Sequence, residues 1–388
     1  MTIALARRLE ELPPYLFAHL DALKAAEIAK GRDIIDLGIG DPDRPTPPHI
    51  IAALSAAAAD PATHRYPSYV GLRDYRAAAA RYYERRFRVR VDPGREVVAL
   101  IGSKEGIAHF PFAFVNPGDV VLVPEPGYPV YGTLSRFAGG EVYPLPLRRE
   151  RGFLPDLGAI PADVLRRARL LWLNYPNNPT GAVAPPDFFR QAVDLAHRHD
   201  LILCSDLSYG EVYLDGEPPP SLLETPGAMA CAIEFSSLSK TFNMTGWRVG
   251  FAVGHAALVG GLLQVKTNVD SGVFDAVQRA AIAALDGPAS AAEEMRALYR
   301  ERRDLFCDGL AAAGFDVIRP RATFYVLCAT PRSVPAVDFA ARLLTESGVV
   351  AAPATGFGPA GEGFVRFSLT APTERLREAV QRLRAVRL

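Results

Sequence analysis

The feature that most constrains the fold is an alternation of short apolar runs with stretches long enough to form helices. The apolar runs lie at residues 96–102, 119–124, 169–176, 201–209, 232–239 and 249–254. Helix-length stretches such as 185–200 separate several of them. Apolar runs too short for stable helices, separated in this way, predict a mainly parallel sheet with helices on both faces. We therefore expect an α/β protein.

The chain changes character after Gly254, which indicates a second domain. A long, bent helical stretch is predicted at 280–314, and further elements follow it. They are strand-like segments at 323–329 and 365–370, a helix near 336–347 and an amphipathic helix at 373–386. This order is typical of a smaller α+β domain.

The length of 388 residues also favours a large domain with a smaller companion. We predict that residues 46–285 form the large domain and residues 286–388 the small one. Residues 1–45 are predicted to pack with the small domain.

Charge and composition exclude several classes of protein. Lys plus Arg and Asp plus Glu both number 43, so the net charge is zero, which argues against nucleic-acid or polybasic membrane binding. The first ten residues contain charges and no long apolar run follows, so we expect a cytoplasmic protein without a membrane span. The scattered cysteines are Cys204, Cys231, Cys307 and Cys328. They lack metal-site spacing, and His197 and His199 lie on a polar helix end, so no metal is expected.

Polar residues follow several of the predicted strands, at the edge where such sheets bind ligands. Ser103 and Lys104 follow an apolar run and open a helix, whose backbone amides attract phosphate. Asp206 ends a strand, where it either caps a helix or pairs with a protonated ring nitrogen. Asn178 lies in the turn Asn-Asn-Pro-Thr-Gly and would present an amide at the same edge.

A single lysine, Lys240, stands among small hydroxyl residues in the segment SSLSKTFNMTGWRVG, residues 236–250. Lysine in such a setting either holds a phosphate or forms a Schiff base with a carbonyl group. A Schiff-base lysine needs a neutral amine, and burial or nearby cations lower its pKa toward that state. Taken alone, the segment is equally compatible with a surface lysine.

The order of these segments resembles that of the class I/II aminotransferases, the pyridoxal-phosphate enzymes of fold type I. SLSKTFNMTGWRVG is close to the lysine signature of that family, and the resemblance extends from residues 38–47 to residues 365–370. It implies a mainly parallel seven-stranded sheet sandwiched by helices, a smaller α+β domain, and pyridoxal 5'-phosphate as cofactor. No GxGxxG turn follows a strand, which argues against a nicotinamide-dependent dehydrogenase.

The resemblance also implies roles for individual residues around the cofactor ring. Lys240 would form the Schiff base and then move a proton between the substrate carbon and the cofactor carbon. Asp206 would keep the pyridine nitrogen protonated. Tyr209 and Asn178 would hydrogen-bond the phenolic oxygen of the ring, and Tyr128 would stack on the ring.

Further residues are implied to bind the phosphate group and the substrate. The phosphate positions are Ser103, Lys104, Ser237, Ser239 and Arg248, with Tyr66 reaching the phosphate of a neighbouring subunit. Active sites shared in this way require a homodimer. The substrate positions are Arg366 for the α-carboxylate, the backbone of Gly40, Tyr15 as a cover, Tyr128, Asn178 and Lys104 for a distal carboxylate.

The substrate class follows from longer stretches that look most like the LL-diaminopimelate aminotransferase group. These stretches are residues 12–25, 36–50, 65–73, 101–109, 114–131 and 355–366. The likeness implies amino transfer from LL-diaminopimelate to 2-oxoglutarate in lysine biosynthesis. Some members carry an acid just after the Tyr66 position, whereas residues 67–70 here contain none. Aspartate, alanine, 2-aminoadipate and aromatic amino acids therefore stay open as substrates, and a C–S lyase stays open as the alternative reaction.

Overall fold

The structure is a computed structural model that describes residues 4–10 and 18–388. Its helices are α1 (Arg7–Glu10), α2 (Ala18–Ala29), α3 (Pro48–Ala58), α4 (Arg73–Phe87), α5 (Ser103–Phe114), α6 (Val130–Phe137), α7 (Ala162–Arg167), α8 (Pro186–His199), α9 (Leu238–Thr241), α10 (Ala256–Val269), α11 (Asp275–Leu285), α12 (Ser290–Ala312), α13 (Ala336–Arg342) and α14 (Thr373–Leu383). Its strands are β1 (Ile35–Asp36), β2 (Val97–Leu100), β3 (Val120–Glu125), β4 (Glu141–Pro146), β5 (Ala168–Asn174), β6 (Ile202–Asp206), β7 (Ala232–Ser237), β8 (Gly250–Gly254), β9 (Val317–Ile318), β10 (Tyr325–Ala329), β11 (Val349–Val350), β12 (Ala352–Pro353) and β13 (Phe364–Ser368).

The larger sheet has seven strands in the order β2-β8-β7-β6-β5-β3-β4. The pairs from β7 to β4 are all parallel, while β8 runs antiparallel to both β2 and β7. The mainly parallel seven-stranded sheet expected from the sequence is therefore confirmed. Six of its strands coincide with the apolar runs. Strand β4 was not predicted, because it is a largely solvent-facing edge strand that contains Pro144 and Pro146.

Helices cover both faces of this sheet because its central strands are apolar on both sides. In β5, Leu171 and Leu173 join one apolar cluster, while Leu170 and Trp172 join a second cluster on the opposite face. Successive strand residues point to opposite faces, so a continuous apolar run produces two buried surfaces. The carboxyl ends of β5, β6 and β7 consequently meet at one edge, which places Asn174, Asp206 and Ser237 close together.

A smaller core lies beside this sheet. Four strands form an antiparallel sheet in the order β12-β13-β10-β9, and β1 pairs in parallel with β11. Leu20, Ile35 and Leu37 share one apolar cluster with residues such as Phe306 and Leu376. These three N-terminal residues share a core with C-terminal elements, while the assignment of residues 1–45 to the small domain and the limits at 45 and 285 remain predictions.

One predicted element differs from the structure. Residues 280–314 do not form one helix, because α11 ends at Leu285 and α12 begins at Ser290. The intervening Asp-Gly-Pro sequence explains the break, since proline disfavours helical geometry in the residue before it. None of the helices in the described ranges is long and apolar enough to cross a membrane.

Candidate active site

A cavity of about 520 Å³ lies at the carboxyl edge of the large sheet, between that sheet and the smaller core. Most of the residues predicted from the sequence line it: Gly40, Ser103, Lys104, Tyr128, Asn178, Asp206, Tyr209, Ser237, Ser239, Lys240, Arg248 and Arg366. These residues are far apart in the chain, and the parallel strand order brings them to one place. The cavity is therefore the candidate active site.

Lys240 lies on the short helix α9, directly after strand β7. Its Nζ donates a hydrogen bond to the backbone oxygen of Gly40 over 3.0 Å. Burial lowers the pKa of the Lys240 ammonium from 10.5 to about 8; Asp41 opposes this change, and the charges of Arg248 and Arg366 add to it. A substantial fraction of the amine is therefore neutral near pH 8, which is the form that attacks a carbonyl carbon.

Asp206 ends strand β6 as a buried carboxyl group held by two neighbours. Tyr131 donates its hydroxyl to one oxygen over 2.7 Å, and Ser208 donates its backbone N–H and hydroxyl to the other over 3.0 and 2.6 Å. Burial raises the pKa of Asp206, and these hydrogen bonds act in the opposite direction. The Tyr131 ring stacks on Trp172 with centroids 4.9 Å apart, which fixes the direction of the phenol.

Several residues of the site were not predicted from the sequence. Tyr131 and Ser208 orient Asp206, Asn174 donates to the backbone oxygen of Asp206 over 2.9 Å, and the hydroxyl groups of Tyr325 and Tyr209 lie 3.1 Å apart. Asn174, Tyr131 and Ser208 lie within four residues of predicted site residues in the sequence. This closeness in sequence could have suggested them as site residues. Their roles, however, depend on side-chain distances that only the folded chain shows.

Arg366, on strand β13, is a buried guanidinium with unused hydrogen-bonding capacity. It donates to the side-chain oxygen of Asn178 over 2.8 Å and to the backbone oxygen of Gly38 over 2.6 Å. The rings of Tyr325 and Phe357 lie 4.1 and 4.5 Å from its central carbon. Its Nε is buried and has no partner among the described residues. A buried donor normally finds an acceptor, so the cavity is suited to an anionic ligand at this point.

The opposite side of the cavity offers donors for a second anion. Ser103 begins helix α5, whose first backbone amides have no partner within the helix. The Ser239 hydroxyl is buried without a partner in the described structure, while Ser237 accepts from the Ser239 backbone N–H over 3.2 Å. A Cβ at Gly102 would stand 2.3 Å from Arg248, so glycine is needed for this guanidinium to approach the turn. Hydroxyl, amide and guanidinium donors together suit a phosphate group.

Two predicted site residues, Tyr66 and Tyr15, are not among the described residues that line the cavity. Tyr66 is 90% exposed and does not line the cavity, and Tyr15 falls outside the described residues. Lys104 lines the cavity with an exposed side chain that makes no hydrogen bond or ion pair to any described residue.

One group of potential metal ligands, Glu105, His109 and Asp270, occurs among the described residues. The buried ammonium of Lys266 lies 2.9 Å from Glu105 and 3.1 Å from Asp270. This lysine already pairs with both carboxylates, so the group is an internal ion-pair network and we assign no metal to it.

Lys240 has a lowered pKa and lies at the carboxyl edge of a mixed seven-stranded sheet, beside two anion sites. This arrangement is characteristic of the fold type I pyridoxal-phosphate enzymes. The model of the family "Aminotransferase class I and II" matches residues 32–383. The chain belongs to this family and is a pyridoxal-phosphate-dependent transaminase.

Individual relatives resemble the chain over its whole length. It is 56% identical to the LL-diaminopimelate aminotransferase of Syntrophobacter fumaroxidans, with 99% of each chain covered. Substrate-bound BacF from Bacillus subtilis is 38% identical, with a TM-score of 0.94 over 99% of this chain and 98% of that one. The aspartate aminotransferase of Thermus thermophilus with maleate is 33% identical, with a TM-score of 0.92 over 99% and 100%. The fold type and the transaminase class expected from the sequence are thus confirmed.

The residues present fit pyridoxal phosphate. The unpartnered Ser239 hydroxyl and the start of α5 suit the phosphate, and the buried Asp206 suits the ring nitrogen. The lowered pKa of Lys240 suits the reaction of its amine with the aldehyde.

Proposed function

We propose that this transaminase interconverts LL-diaminopimelate plus 2-oxoglutarate with tetrahydrodipicolinate plus glutamate, a step of lysine biosynthesis. The observation that carries the proposal is the full-length, 56% identity to a protein named LL-diaminopimelate aminotransferase. The cavity is compatible with such substrates. LL-diaminopimelate, glutamate and 2-oxoglutarate all have two carboxylates, and Arg366 and Lys104 supply two cations that are not paired with acids.

Different residues of this chain have different roles around the cofactor ring. When bound, pyridoxal phosphate supplies a protonated ring that withdraws electrons from the substrate α-carbon. We assign to Asp206 the task of holding the proton on the ring nitrogen, with Tyr131 and Ser208 fixing its two oxygens. Lys240 would bind the cofactor aldehyde and, once released, would carry the proton to and from the substrate carbon.

Neighbouring side chains complete the ring and phosphate sites. Tyr209 and Asn178 would donate to the phenolic oxygen of the bound cofactor, and Tyr128 would pack against its ring. Burial raises the pKa of Tyr128 to about 12, so its phenol stays neutral there. The phosphate ligands in this proposal are the side chains of Ser103, Ser237, Ser239 and Arg248 and the backbone amide of Lys104, all of which border the cavity.

Arg366 is the residue that we assign to the α-carboxylate of the substrate. Its Nε has no partner among the described residues, and its two terminal nitrogens contact Asn178 and Gly38. A guanidinium with these donors can bind a carboxylate in a bidentate manner. Gly40 lies on the other side of the substrate, and a Cβ there would stand 2.0 Å from the Tyr325 hydroxyl. Lys104 would then meet the distal carboxylate, and Tyr15 would cover the substrate.

We further propose a cytoplasmic homodimer with shared active sites. Tyr66 and Tyr69 are exposed aromatic residues on one loop, 90% and 45% accessible. Large exposed aromatic side chains are characteristic of protein interfaces. In a dimer, the Tyr66 hydroxyl would reach the phosphate bound by the partner subunit.

A panel of amino donors with 2-oxoglutarate tests the substrate. We expect LL-diaminopimelate to have the highest kcat/KM among diaminopimelate, aspartate, alanine, 2-aminoadipate and phenylalanine. If it ranks far below aspartate, the diaminopimelate assignment fails and the transaminase class survives. Amino acid added without an oxo acid tests the reaction type: a transaminase yields about one equivalent of oxo acid per site, whereas a C–S lyase would release ammonia and pyruvate continuously.

A further inference from the structure

We propose that Asp36 and Lys24 recognise the distal end of diaminopimelate. In this inference, the Asp36 carboxylate accepts the distal ammonium group and Lys24 binds the distal carboxylate together with Lys104. The inference rests on the proposed function, and it names residues that discriminate diaminopimelate from other dicarboxylic amino acids.

Both residues line the same cavity as Lys240 and Arg366. Asp36 ends strand β1 and Lys24 lies on helix α2, and their side chains form an ion pair. They are partly accessible, at 24% and 29%. A pair of this kind can exchange partners with a ligand, because neither charge is sealed from the cavity.

Asp36 is two residues from Gly38, whose backbone contacts Arg366 at the proposed α-carboxylate site. Its Oδ1 accepts from the backbone N–H of Gly38 over 2.9 Å, and the backbone oxygen of Gly38 accepts from Arg366 over 2.6 Å. Two extended residues span at most about 7 Å. The two α-carbons of diaminopimelate are separated by four C–C bonds, about 5 Å from ordinary bond lengths. A substrate held at Arg366 therefore reaches the neighbourhood of Asp36.

The other acids of the cavity are less suited to this role. Asp206 already accepts three hydrogen bonds from Tyr131 and Ser208. Asp21 is exposed and has no ion pair to any described residue, while residues 67–70 contain no acid. Asp36 is therefore the cavity acid that combines a fixed orientation with access to the ligand.

The charges of the pair match those of the ligand. The distal end of LL-diaminopimelate carries one ammonium and one carboxylate, whereas glutamate and 2-oxoglutarate carry only a carboxylate there. When diaminopimelate binds, its ammonium replaces Lys24 on Asp36, and Lys24 moves to the distal carboxylate. Every charge keeps a partner. A ligand without the distal carboxylate leaves Lys24 unpaired, and a ligand without the distal ammonium leaves Asp36 unpaired whenever Lys24 turns to the ligand.

Three amino acids separate the two contacts in single-turnover reactions of the pyridoxal-phosphate form. L-2-aminopimelate lacks only the distal ammonium, L-lysine lacks only the distal carboxylate, and LL-diaminopimelate has both. We expect the wild-type protein to prefer LL-diaminopimelate to L-2-aminopimelate by about tenfold or more, the usual effect of a hydrogen bond between charged groups. Asp36→Asn should abolish this preference by slowing the diaminopimelate reaction.

Lys24→Met tests the second contact. It should slow the reaction of LL-diaminopimelate and leave that of L-lysine within about twofold, because lysine has no distal carboxylate to lose. Asp33→Asn is the matched control, since Asp33 lies in the same segment, pairs with Arg375 and Arg382, and does not line the cavity. It should keep the wild-type preference, and thermal unfolding and visible absorbance should show that all variants fold and bind cofactor.

The outcomes distinguish the inference from the proposed function. If the wild-type protein fails to use LL-diaminopimelate, the proposed function is wrong. If the wild-type protein prefers LL-diaminopimelate and Asp36→Asn retains the full preference over L-2-aminopimelate, the proposed function survives and the assignment of Asp36 is overturned. Equal slowing of all three substrates by Asp36→Asn would also overturn it, because that result indicates a general structural role.

Discussion

Lys240 Nζ donates a hydrogen bond to the backbone oxygen of Gly40 over 3.0 Å, which joins the large sheet to the N-terminal segment at the centre of the cavity. Burial lowers the pKa of this ammonium to about 8. The neutral fraction of a base rises with pH through its pKa, so cofactor-free protein should react with pyridoxal phosphate faster as pH rises. We expect the rate to reach half of its maximum at about pH 8, as measured by the visible absorbance of the lysine-linked cofactor. A half-point above pH 10, as for an ordinary lysine, would contradict the assignment.

Replacing Lys240 by alanine should leave a folded protein that binds pyridoxal phosphate without forming the lysine-linked absorbance. Turnover should fall by about a thousandfold or more, because both the Schiff base and the proton carrier are lost. Steady-state kinetics and absorbance spectra measure the two effects. Lys30→Ala is a suitable control, since Lys30 is a surface residue paired with Glu27. Retained turnover in a pure Lys240→Ala sample would refute the mechanism.

Arg366→Lys should raise KM for amino acid substrates by roughly ten- to a hundredfold while leaving the cofactor spectrum unchanged. Lysine keeps the charge but lacks the planar pair of donors that fits a carboxylate. Single-turnover titration with glutamate measures the change. Arg149→Lys alters an exposed ion pair with Asp316 and should have no effect. An unchanged KM in Arg366→Lys would show that the α-carboxylate binds elsewhere.

Tyr131→Phe should lower kcat by about tenfold and leave cofactor binding intact. The hydroxyl donates to Asp206 over 2.7 Å and lowers the pKa of that carboxyl group. Its loss raises that pKa further, so the carboxyl group becomes protonated and uncharged at a higher pH, where it no longer stabilises a protonated ring nitrogen. The pH profile of kcat should therefore shift on its acidic side toward higher pH.

Tyr175→Phe provides the control for this change. Tyr175 is also buried and donates its hydroxyl to the backbone of Phe153 over 2.7 Å, but it does not line the cavity. It should reduce thermal stability without moving the pH profile. If both variants leave the profile in place, Tyr131 has only a packing role.

A mixture of two inactive variants tests whether Tyr66 serves the partner subunit. In a dimer formed from one Tyr66→Ala subunit and one Lys240→Ala subunit, one site would receive an intact Lys240 from its own chain and an intact Tyr66 from the partner. Random reassociation of equal amounts should therefore restore about a quarter of the wild-type activity. If Tyr66 serves its own subunit, activity should not exceed the average of the two separate variants.

The sequence supported prediction of the sheet and of the main site residues for a specific physical reason. Apolar runs such as 170–173 are too short for stable helices and predict buried strands covered on both faces, and polar residues at their ends then meet at one edge. Asp206, Asn178 and Ser103 could therefore be predicted as candidate site residues. The lysine signature around Lys240 supplied the family. Strand β4 and the break between α11 and α12 were missed, because one is an exposed edge strand and the other depends on a short Asp-Gly-Pro segment.

What the sequence determined by itself is the class of fold and, through motifs that resemble a known family, the cofactor chemistry and a set of candidate site residues. Tertiary structure alone decided which side chains support them. Tyr131 meets Asp206 and Arg366 meets Asn178 across 75 and 188 residues of chain, respectively. The ion pair of Lys24 and Asp36 enters the cavity only because α2 and β1 pack there. Such contacts depend on distances and burial, which no local pattern encodes.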